Sequence, residues 1–593
     1  MKKVVLIEPK SQEDHVYKTV QMPRLGLPLM GAALKAAGYR VELYYGTGAS
    51  LPWSSIVSAD FVGVSTTTAT SSEAYRIAGY LRSRGLPVII GGIHAHFLPD
   101  EALRHADYVV RGEADLIIVP LIRALEEGRL PRELPGVSFW DGQEAVHNPC
   151  SEVPVELDQL PLPDFSLFKG KKGFRTIPVM TSRGCPYNCT FCSVTLMFGR
   201  RYRFRDTESV LNELAAYRGR SVFFCDDNFT ANPARSRELF QGMIDRKTGL
   251  KGWGAQMRVE ASRDPEMLEL MRLSGGNMAF VGLESINPET LAALNKQQSL
   301  ADVSECVRRF HEYKIRVHGM FVFGGEGDTV QTIRDTVDFA LDSRIDSVQF
   351  LILTPLPGTP LYHDLEAQGR LLTKEWELYD GHHAVFQPSR LSAEELQWET
   401  IAAFKRFYSL RNIFGNVFHT GWGTSLYRSL GWWLTRHFER KNRWYDGALK
   451  QLQVSDPTPV ALLFKRIEAE RREVAAEKTA SLQVYLIEKK GVLHLRLQGL
   501  ISRLNLRELV KTVRAYLPRR CFHLVINVEG LRFASSRAAA AFFRFLEQLG
   551  ERTRRLQVVV SGDMDPTERK ELAGEKKRSK SKLPRFELVL NKR

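Results

Sequence analysis

Residues Ile177-Pro178-Val179-Met180-Thr181 run directly into Ser182-Arg183-Gly184-Cys185-Pro186-Tyr187-Asn188-Cys189-Thr190-Phe191-Cys192. The first five form a short apolar run, the mark of a buried strand. The rest spaces three cysteines as Cys-x3-Cys-x2-Cys. Cys185, Cys189 and Cys192 thus offer three thiolates from one short loop. An iron–sulfur cube has four irons, and protein thiolates usually ligate all of them. Three ligands leave one iron open to a small molecule. Zinc or plain structural cysteines remain the other readings of the spacing. Zinc takes four ligands, usually as two pairs, and no fourth Cys or His lies close in sequence.

This loop resembles the signature of the radical S-adenosylmethionine (SAM) superfamily. The resemblance implies a [4Fe-4S] cluster on Cys185, Cys189 and Cys192, with its open iron chelating the amino and carboxylate groups of SAM. It implies that an electron from the cluster splits SAM into methionine and a 5′-deoxyadenosyl radical. It also implies that Phe191 lies near the adenine.

Downstream, a βα alternation continues to about Pro360. Strands are expected at Ile177–Thr181, Ser221–Phe224, Gly252–Gln256, Asn277–Leu283, Val317–Phe323 and Ser347–Leu353. Helices are expected at Thr207–Arg218, Pro233–Arg246, Pro265–Leu273, Pro288–Leu294, Ser299–Tyr313 and Thr329–Asp342. Six such units match the partial (β/α)6 TIM-type barrel of the superfamily, assigned here to residues 176–385. Barrel chemistry gathers at the strand carboxyl ends. There the resemblance points to SAM contacts at Asp226, Gln256, Arg258 and Glu284, with Glu284 on the ribose hydroxyls and Arg258 on the methionine carboxylate. Blander roles stand beside these. Asp226 or Asp227 would cap the next helix, Glu284 would pair with a cation, and Gly324-Gly325 would be a bare turn. Cys225 reads as a buried small residue.

Upstream, residues 1–145 also alternate. Strands are expected at Val4–Ile7, Arg40–Tyr44, Phe61–Ser65, Pro87–Ile90 and Tyr108–Arg111, with helices such as Leu27–Ala37, Ser72–Arg84 and Ala114–Glu127 between them. This predicts a doubly wound, Rossmann-like parallel sheet with its ligand at the strand carboxyl ends. No Gly-x-Gly-x-x-Gly follows a strand, so a nucleotide site is not indicated. The layout resembles the cobalamin-binding domain found ahead of the barrel in many radical SAM enzymes. The matching residues are Leu25 and Gly26, Ser65 and Thr66, Gly91, Gly92 and His94, and Gly112 and Glu113, which the resemblance marks as cobalamin contacts. His94 taken alone reads as a satisfied loop histidine. The Asp-x-His-x-x-Gly motif that supplies an axial histidine elsewhere is absent, and the adjacent Asp14-His15 do not replace it. A degenerate domain without cofactor is the alternative, since fold does not fix ligand.

Residues 146–175, broken by Pro154, Pro161 and Pro163, read as a linker. Residues 386–475 form a helical extension in which Trp422, Trp432, Trp433 and Trp444 mix with Arg428, Arg436, Arg440, Lys441 and Arg443. That mixture suits a helix lying on an anionic bilayer or a cap over the barrel. Residues 476–593 resemble a STAS domain, a small αβ fold, with a basic tail at 576–582. Ala534 stands where the phosphoswitch members carry Asp, so Ser535 reads as a helix cap.

The bulk numbers agree with this division. A chain of 593 residues is too long for one ordinary domain. Hydrophobic residues at 44% and charged residues at 25% are those of globular proteins. Seven cysteines, three in one cluster, make no disulfide framework, so a cytoplasmic setting is expected, with contact at the inner membrane face as an extension. The net charge of +15 fits a polyanionic partner or a solvated basic surface. No RNA-binding motif is seen, and no nucleic-acid partner is expected.

The resemblances together imply a cobalamin-dependent radical SAM enzyme. The expected reaction is methyl transfer to an unactivated carbon of a lipid or natural product, such as a polycyclic terpenoid. A flavodoxin or ferredoxin would supply electrons, and a protein partner would use the STAS-like domain. Cyclisation, ring contraction or oxidation without methyl transfer is the nearest alternative. A regulatory protein with a vestigial barrel is the alternative of another class.

Overall fold

The computed structural model describes residues 1–10, 22–170, 174–415 and 417–454, together with the strands and parts of the helices beyond residue 481. Asp14 and His15 lie outside the described residues. The chain divides into two compact units, Met1–Pro457 and Thr458–Arg593.

The first unit begins with a seven-stranded sheet. Its strands are β1 (Lys3–Pro9), β2 (Arg40–Gly46), β3 (Phe61–Ser65), β4 (Val88–Gly91), β5 (Tyr108–Val110), β6 (Val137–Asp141) and β7 (Glu144–His147), in the spatial order β2-β1-β3-β4-β5-β6-β7. β1 to β5 are parallel. Both faces of these strands are covered, which is why they read as continuous apolar runs. Val5, Ile7, Val62, Val64, Val88 and Ile90 pack on helix Ser71–Arg82 in one core. The strand order reverses between β1 and β3, and in such sheets that crevice is where ligands sit. β6 and β7 form an antiparallel hairpin at the sheet edge. Sequence pattern does not reveal them, because β7 is half exposed and carries no apolar run. β7 also runs past residue 146, into the segment read as linker.

The barrel strands are β8 (Thr176–Val179), β11 (Ser221–Phe224), β12 (Gly252–Met257), β13 (Gly276–Glu284), β14 (Arg316–Phe323) and β15 (Ser347–Ile352). Between the first two lies a small antiparallel pair, β9 (Ser182–Arg183) and β10 (Arg203–Phe204). The six barrel strands are parallel and neighbour one another in chain order. β8 and β15 do not pair, so the barrel is partial. The turn chemistry is local. Asn232, Asp264, Asn287 and Thr359 each accept a backbone N–H at a helix start, and each is followed by proline at the first helical position.

The β15 edge is covered by helix Ala393–Phe407 and by the 38-residue helix Val417–Val454. The buried Arg428 guanidinium donates to the carbonyls of Ile345 at 2.7 Å and Asp346 at 2.9 Å. The long helix therefore packs on the barrel as a cap. Among the described residues no helix is long and apolar enough to cross a membrane.

The second unit carries β16 (Leu482–Lys489), β17 (Val492–Ile501), β18 (His523–Asn527), β19 (Leu531–Phe533), β20 (Arg555–Val560) and β21 (Phe586–Leu590). Its order is β16-β17-β18-β20-β21, with β19 also on β17. An antiparallel hairpin thus leads into a parallel sheet. Leu495, Leu497, Ile526, Phe545 and Leu546 are in its core. Ser535 and residues 576–582 lie outside the described residues.

Candidate active site

The cysteine loop is closed at its neck. Ser182 pairs with Phe204 and Arg183 with Arg203. Inside the neck Gly184 has φ +84°, and a Cβ there would lie 2.6 Å from the Arg201 carbonyl oxygen, so only glycine fits. Cys185, Cys189 and Cys192 are free and half buried. The loop is fastened from the far side of the barrel. Asn295 Nδ2 donates to Asn188 O at 2.8 Å, and Leu361 N donates to Thr190 O at 3.2 Å.

Burial pushes the Cys192 thiol up to about 11 and the Cys185 thiol upward, and the other thiols and Asp227 add to both shifts. Cys185 and Cys192 are thus held where they ionise less readily, and a cationic centre bound there would draw off their protons. Among the described residues no three Cys, His, Asp or Glu side chains already meet as a closed coordination set.

Around this loop the structure assembles part of the expected set. Phe191 lies within the loop, half buried. The Arg258 guanidinium stacks 3.9 Å from the Tyr187 ring centroid. Its Nε and Nη2 each donate to Glu260 at 3.1 Å. Gln256 is half buried on β12, two residues before Arg258. Glu284 ends β13 at a bulge, with φ +59°. A left-handed glutamate is strained backbone. Its carboxylate accepts from Lys296 Nζ at 2.6 Å, so the pairing cation is a lysine.

Asp226 departs from the SAM-contact expectation. Its carboxylate is fully engaged inside the fold, accepting the N–H of Thr181 at 2.6 Å and of Ser182 at 3.1 Å, and the Thr181 hydroxyl. It ties the second strand's end to the first. Nor does it cap a helix, a task left to Asn232. Gly324 and Gly325 donate to Asp328 Oδ2 at 2.9 and 3.0 Å, which makes that run a self-satisfied turn.

A cavity of about 280 Å³ lies between the carboxyl ends of the first sheet and the mouth of the barrel. Leu25, Gly26, Ser65, Gly91, Gly92, Gly112 and Glu113 line it from the sheet side. It opens at the β1–β3 switch point, where Leu6, Gly63 and Val64 form its walls. Gly92 has φ +101°, and a Cβ would fall 2.2 Å from Thr66 O. At Gly92 the backbone floor is therefore bare of a side chain by necessity.

Two residues expected here are placed elsewhere. Thr66 donates its hydroxyl to Gly91 O at 2.8 Å and accepts the Ala95 N–H. His94 is buried against Glu101, 3.2 Å from Nε2, with Trp376 packed edge-on at 5.2 Å. Both are turned into the domain, where the Thr66 hydroxyl and His94 Nε2 find partners.

The barrel side of the cavity carries residues that spacing arguments missed. Met180, Ser182, Arg183, Cys225 and Asp227 all line it. The Cys225 thiol donates to Val179 O at 3.3 Å. Burial and the neighbouring Asp226 charge push Asp227 up to about 7, against the pull of the Gly184 N–H and Arg183. Arg183 and Arg203 reach Glu113 and Asp115 across the domain boundary. The one sequence signal for this wall was Arg183 itself, charged yet sitting between a buried strand and the motif. A second cleft of about 260 Å³ opens beside Thr190, Leu294, Gly325 and Leu353, at the ends of β14 and β15.

Comparison with known proteins agrees with this layout. Residues 179–340 match the model of the radical SAM superfamily, and residues 19–121 match the B12 binding domain. Over 409 residues the chain is 31% identical to bacteriochlorophyllide d C-12(1)-methyltransferase of Chlorobaculum tepidum, spanning 67% of this chain and 85% of that one. It is 30% identical over 344 residues to the anaerobic magnesium-protoporphyrin IX monomethyl ester cyclase of Cereibacter sphaeroides, spanning 55% and 56% of the two chains. The fold is shared with the radical SAM methyltransferase TsrM of Kitasatospora setae in its form with cobalamin and a [4Fe-4S] cluster bound, at TM-score 0.57 and 19% identity over 75% of this chain and all of that one. With the three-cysteine loop at the barrel mouth and a bare glycine floor facing it, the chain belongs to the cobalamin-dependent radical SAM enzymes, whose cofactors are a [4Fe-4S] cluster, SAM and cobalamin.

Proposed function

We propose that this enzyme transfers a methyl group from SAM to an unactivated carbon of a polycyclic, largely apolar molecule. The observation that carries the proposal is the shared cavity, walled on one side by Gly26, Gly91, Gly92 and Gly112 and on the other by the neck of the cysteine loop. Similarity to a bacteriochlorophyllide methyltransferase supports both the reaction and the substrate class.

Cys185, Cys189 and Cys192 would hold the cluster, and Leu25, Gly26, Ser65, Gly91, Gly92, Gly112 and Glu113 would border cobalamin. The cluster supplies the electron that cleaves SAM, and cobalamin carries the methyl group. The chain's own residues orient and exclude. Glu284 would accept from the SAM ribose hydroxyls, its carboxylate held by Lys296. Arg258, braced by Glu260 and Tyr187, would face the methionine carboxylate, with Gln256 beside it and Phe191 against the adenine. Met180, Met197 and Phe198 line the cavity with apolar surface that keeps water from a radical site.

The outer face of the long helix supports contact with an anionic lipid surface. Leu430 and Trp433 are exposed there, Trp433 stacks on His437, and Arg436 covers Trp432 at 4.3 Å. Arg440, Lys441 and Arg443 are exposed on the same helix. A lipid substrate would be taken up from that surface.

The test is incubation of the reconstituted enzyme with methyl-labelled SAM, reductant and candidate polycyclic substrates under anaerobic conditions. Label in both cobalamin and product supports methyl transfer. The similarity to an anaerobic cyclase favours a second reading, oxidative ring closure. Deoxyadenosine formation with an oxidised, unlabelled product would establish that one and overturn the first.

A further inference from the structure

We propose that Arg183 and Arg203 are positioning residues which, through Glu113 and Asp115, transmit occupancy of the large cavity to the cysteine loop. The inference rests on the reading that this cavity takes cobalamin.

Arg183 and Arg203 sit opposite each other on β9 and β10, where residues 184–202 leave and re-enter the barrel. The Arg183 fork donates Nη1 to Glu113 Oε1 at 2.9 Å, and Nη1 and Nη2 to the two Asp115 oxygens at 2.7 and 2.9 Å. Arg203 donates both Nη atoms to Glu113, at 3.0 and 2.9 Å. All four side chains are buried, none more than 12% exposed. Two cations and two carboxylates thus form a neutral, desolvated chain in the order Asp115, Arg183, Glu113, Arg203. Glu113 and Asp115 come from the loop after β5, and that loop together with Arg183 walls the cavity. Cys185 lies two residues beyond Arg183.

The geometry gives the coupling its direction. Gly112, with φ +71°, lines the cavity directly before Glu113. A ligand edge seated on Gly112 sets the position of the Glu113 carboxylate. Two planar forks grip that carboxylate and its neighbour, and a bidentate fork holds orientation as well as distance. No member can shift alone without leaving a buried charge unpaired. The neck of the cysteine loop must therefore follow the loop that meets the ligand.

The test uses the full-length protein with its cluster and without cobalamin. Hydroxocobalamin is added anaerobically, binding is read by visible absorbance, and amide hydrogen exchange is followed across residues 184–202. Exchange in that loop is expected to slow by at least about 5-fold on binding, the lower end of ordinary site-to-site coupling. Arg203→Lys, at a residue that does not line the cavity, is expected to bind hydroxocobalamin and retain iron, yet lose most of that protection. It keeps the charge and removes only the fork on Glu113. Binding in the wild-type chain with protection confined to other segments overturns the inference, whatever the variant does. If no binding is seen by absorbance, the cobalamin reading falls and this inference falls with it.

Discussion

At Glu284 a strained backbone and a buried charge coincide. Its left-handed φ of +59° costs on the order of 1 kcal/mol or more for a non-glycine residue, and the Lys296 pair offsets it only while both partners are present. Lys296→Met should leave the carboxylate buried and unpaired, lowering stability by roughly 3 kcal/mol. Glu284→Gln keeps the shape and one acceptor. It also leaves the buried Lys296 ammonium without its counter-charge, so it should lower the melting temperature as well as reducing SAM affinity about 10-fold. Equilibrium binding of SAM beside thermal melting separates the two effects. A Glu284→Gln variant that melts lower yet binds SAM as tightly as the wild type would make Glu284 purely structural. Gly92→Ala is sharper. With φ +101° and a Cβ at 2.2 Å from Thr66 O, the floor must deform. Hydroxocobalamin affinity should fall by at least about 10-fold, read by absorbance titration, with the iron content of the barrel unchanged.

At the scale of elements, β14 carries the clearest pH signature. His318 is wholly buried, its Nδ1 2.8 Å from the Ser347 hydroxyl on β15 and its ring against Phe280 on β13. Burial lowers its pKa to about 4. The folded protein therefore keeps this imidazole neutral while the unfolded chain protonates near its ordinary value. The unfolded state binds the extra proton between about pH 6.5 and 4, so stability falls as pH drops through that window and is fully present above it. The loss should approach roughly 3 kcal/mol. Urea unfolding of the wild type and of His318→Gln at pH 7 and pH 5 checks this. The variant should show a smaller difference between the two pH values. An equal difference would place the acid sensitivity elsewhere. The starts of the barrel helices around β14 are legible in the amino-acid sequence itself. Cap-then-proline signals at Asn232, Asp264 and Asn287 fall where the helices start, because capping is settled within four residues of chain. The β6–β7 hairpin is not legible there, because an edge strand with half-exposed faces has no apolar run to announce it.

For the first unit as a whole, no described helix is long and apolar enough to cross a membrane, so the proposed apolar substrate would have to be met at a surface. The outward face of Val417–Val454 offers Trp433, 48% exposed, within a basic stretch. Anionic vesicles should sediment the protein, and Trp433→Glu should weaken that association about 10-fold. Raising salt should weaken the wild type as well, since part of the attraction is electrostatic. Sedimentation unaffected by both changes would remove this helix from the argument.

What the chain determines locally is what its sequence makes legible. The cysteine spacing, the βα alternation, the glycine-rich ends of β4 and β5 and the helix caps depend on residues near one another in the chain. Tertiary structure alone decided the rest. Asp226 has the look of a ligand contact, but folding delivers Thr181 and Ser182 to it from 45 and 44 residues away. His94 has the look of a cobalamin contact, but Glu101 and Trp376 enclose it. Arg183 seems incidental along the chain, yet the topology brings it Glu113 and Asp115 across 70 and 68 residues. A polar side chain goes where its partner is. Spacing along the chain says which chemistry is on offer, while only the fold says which of those groups are already taken and which are left to meet a ligand.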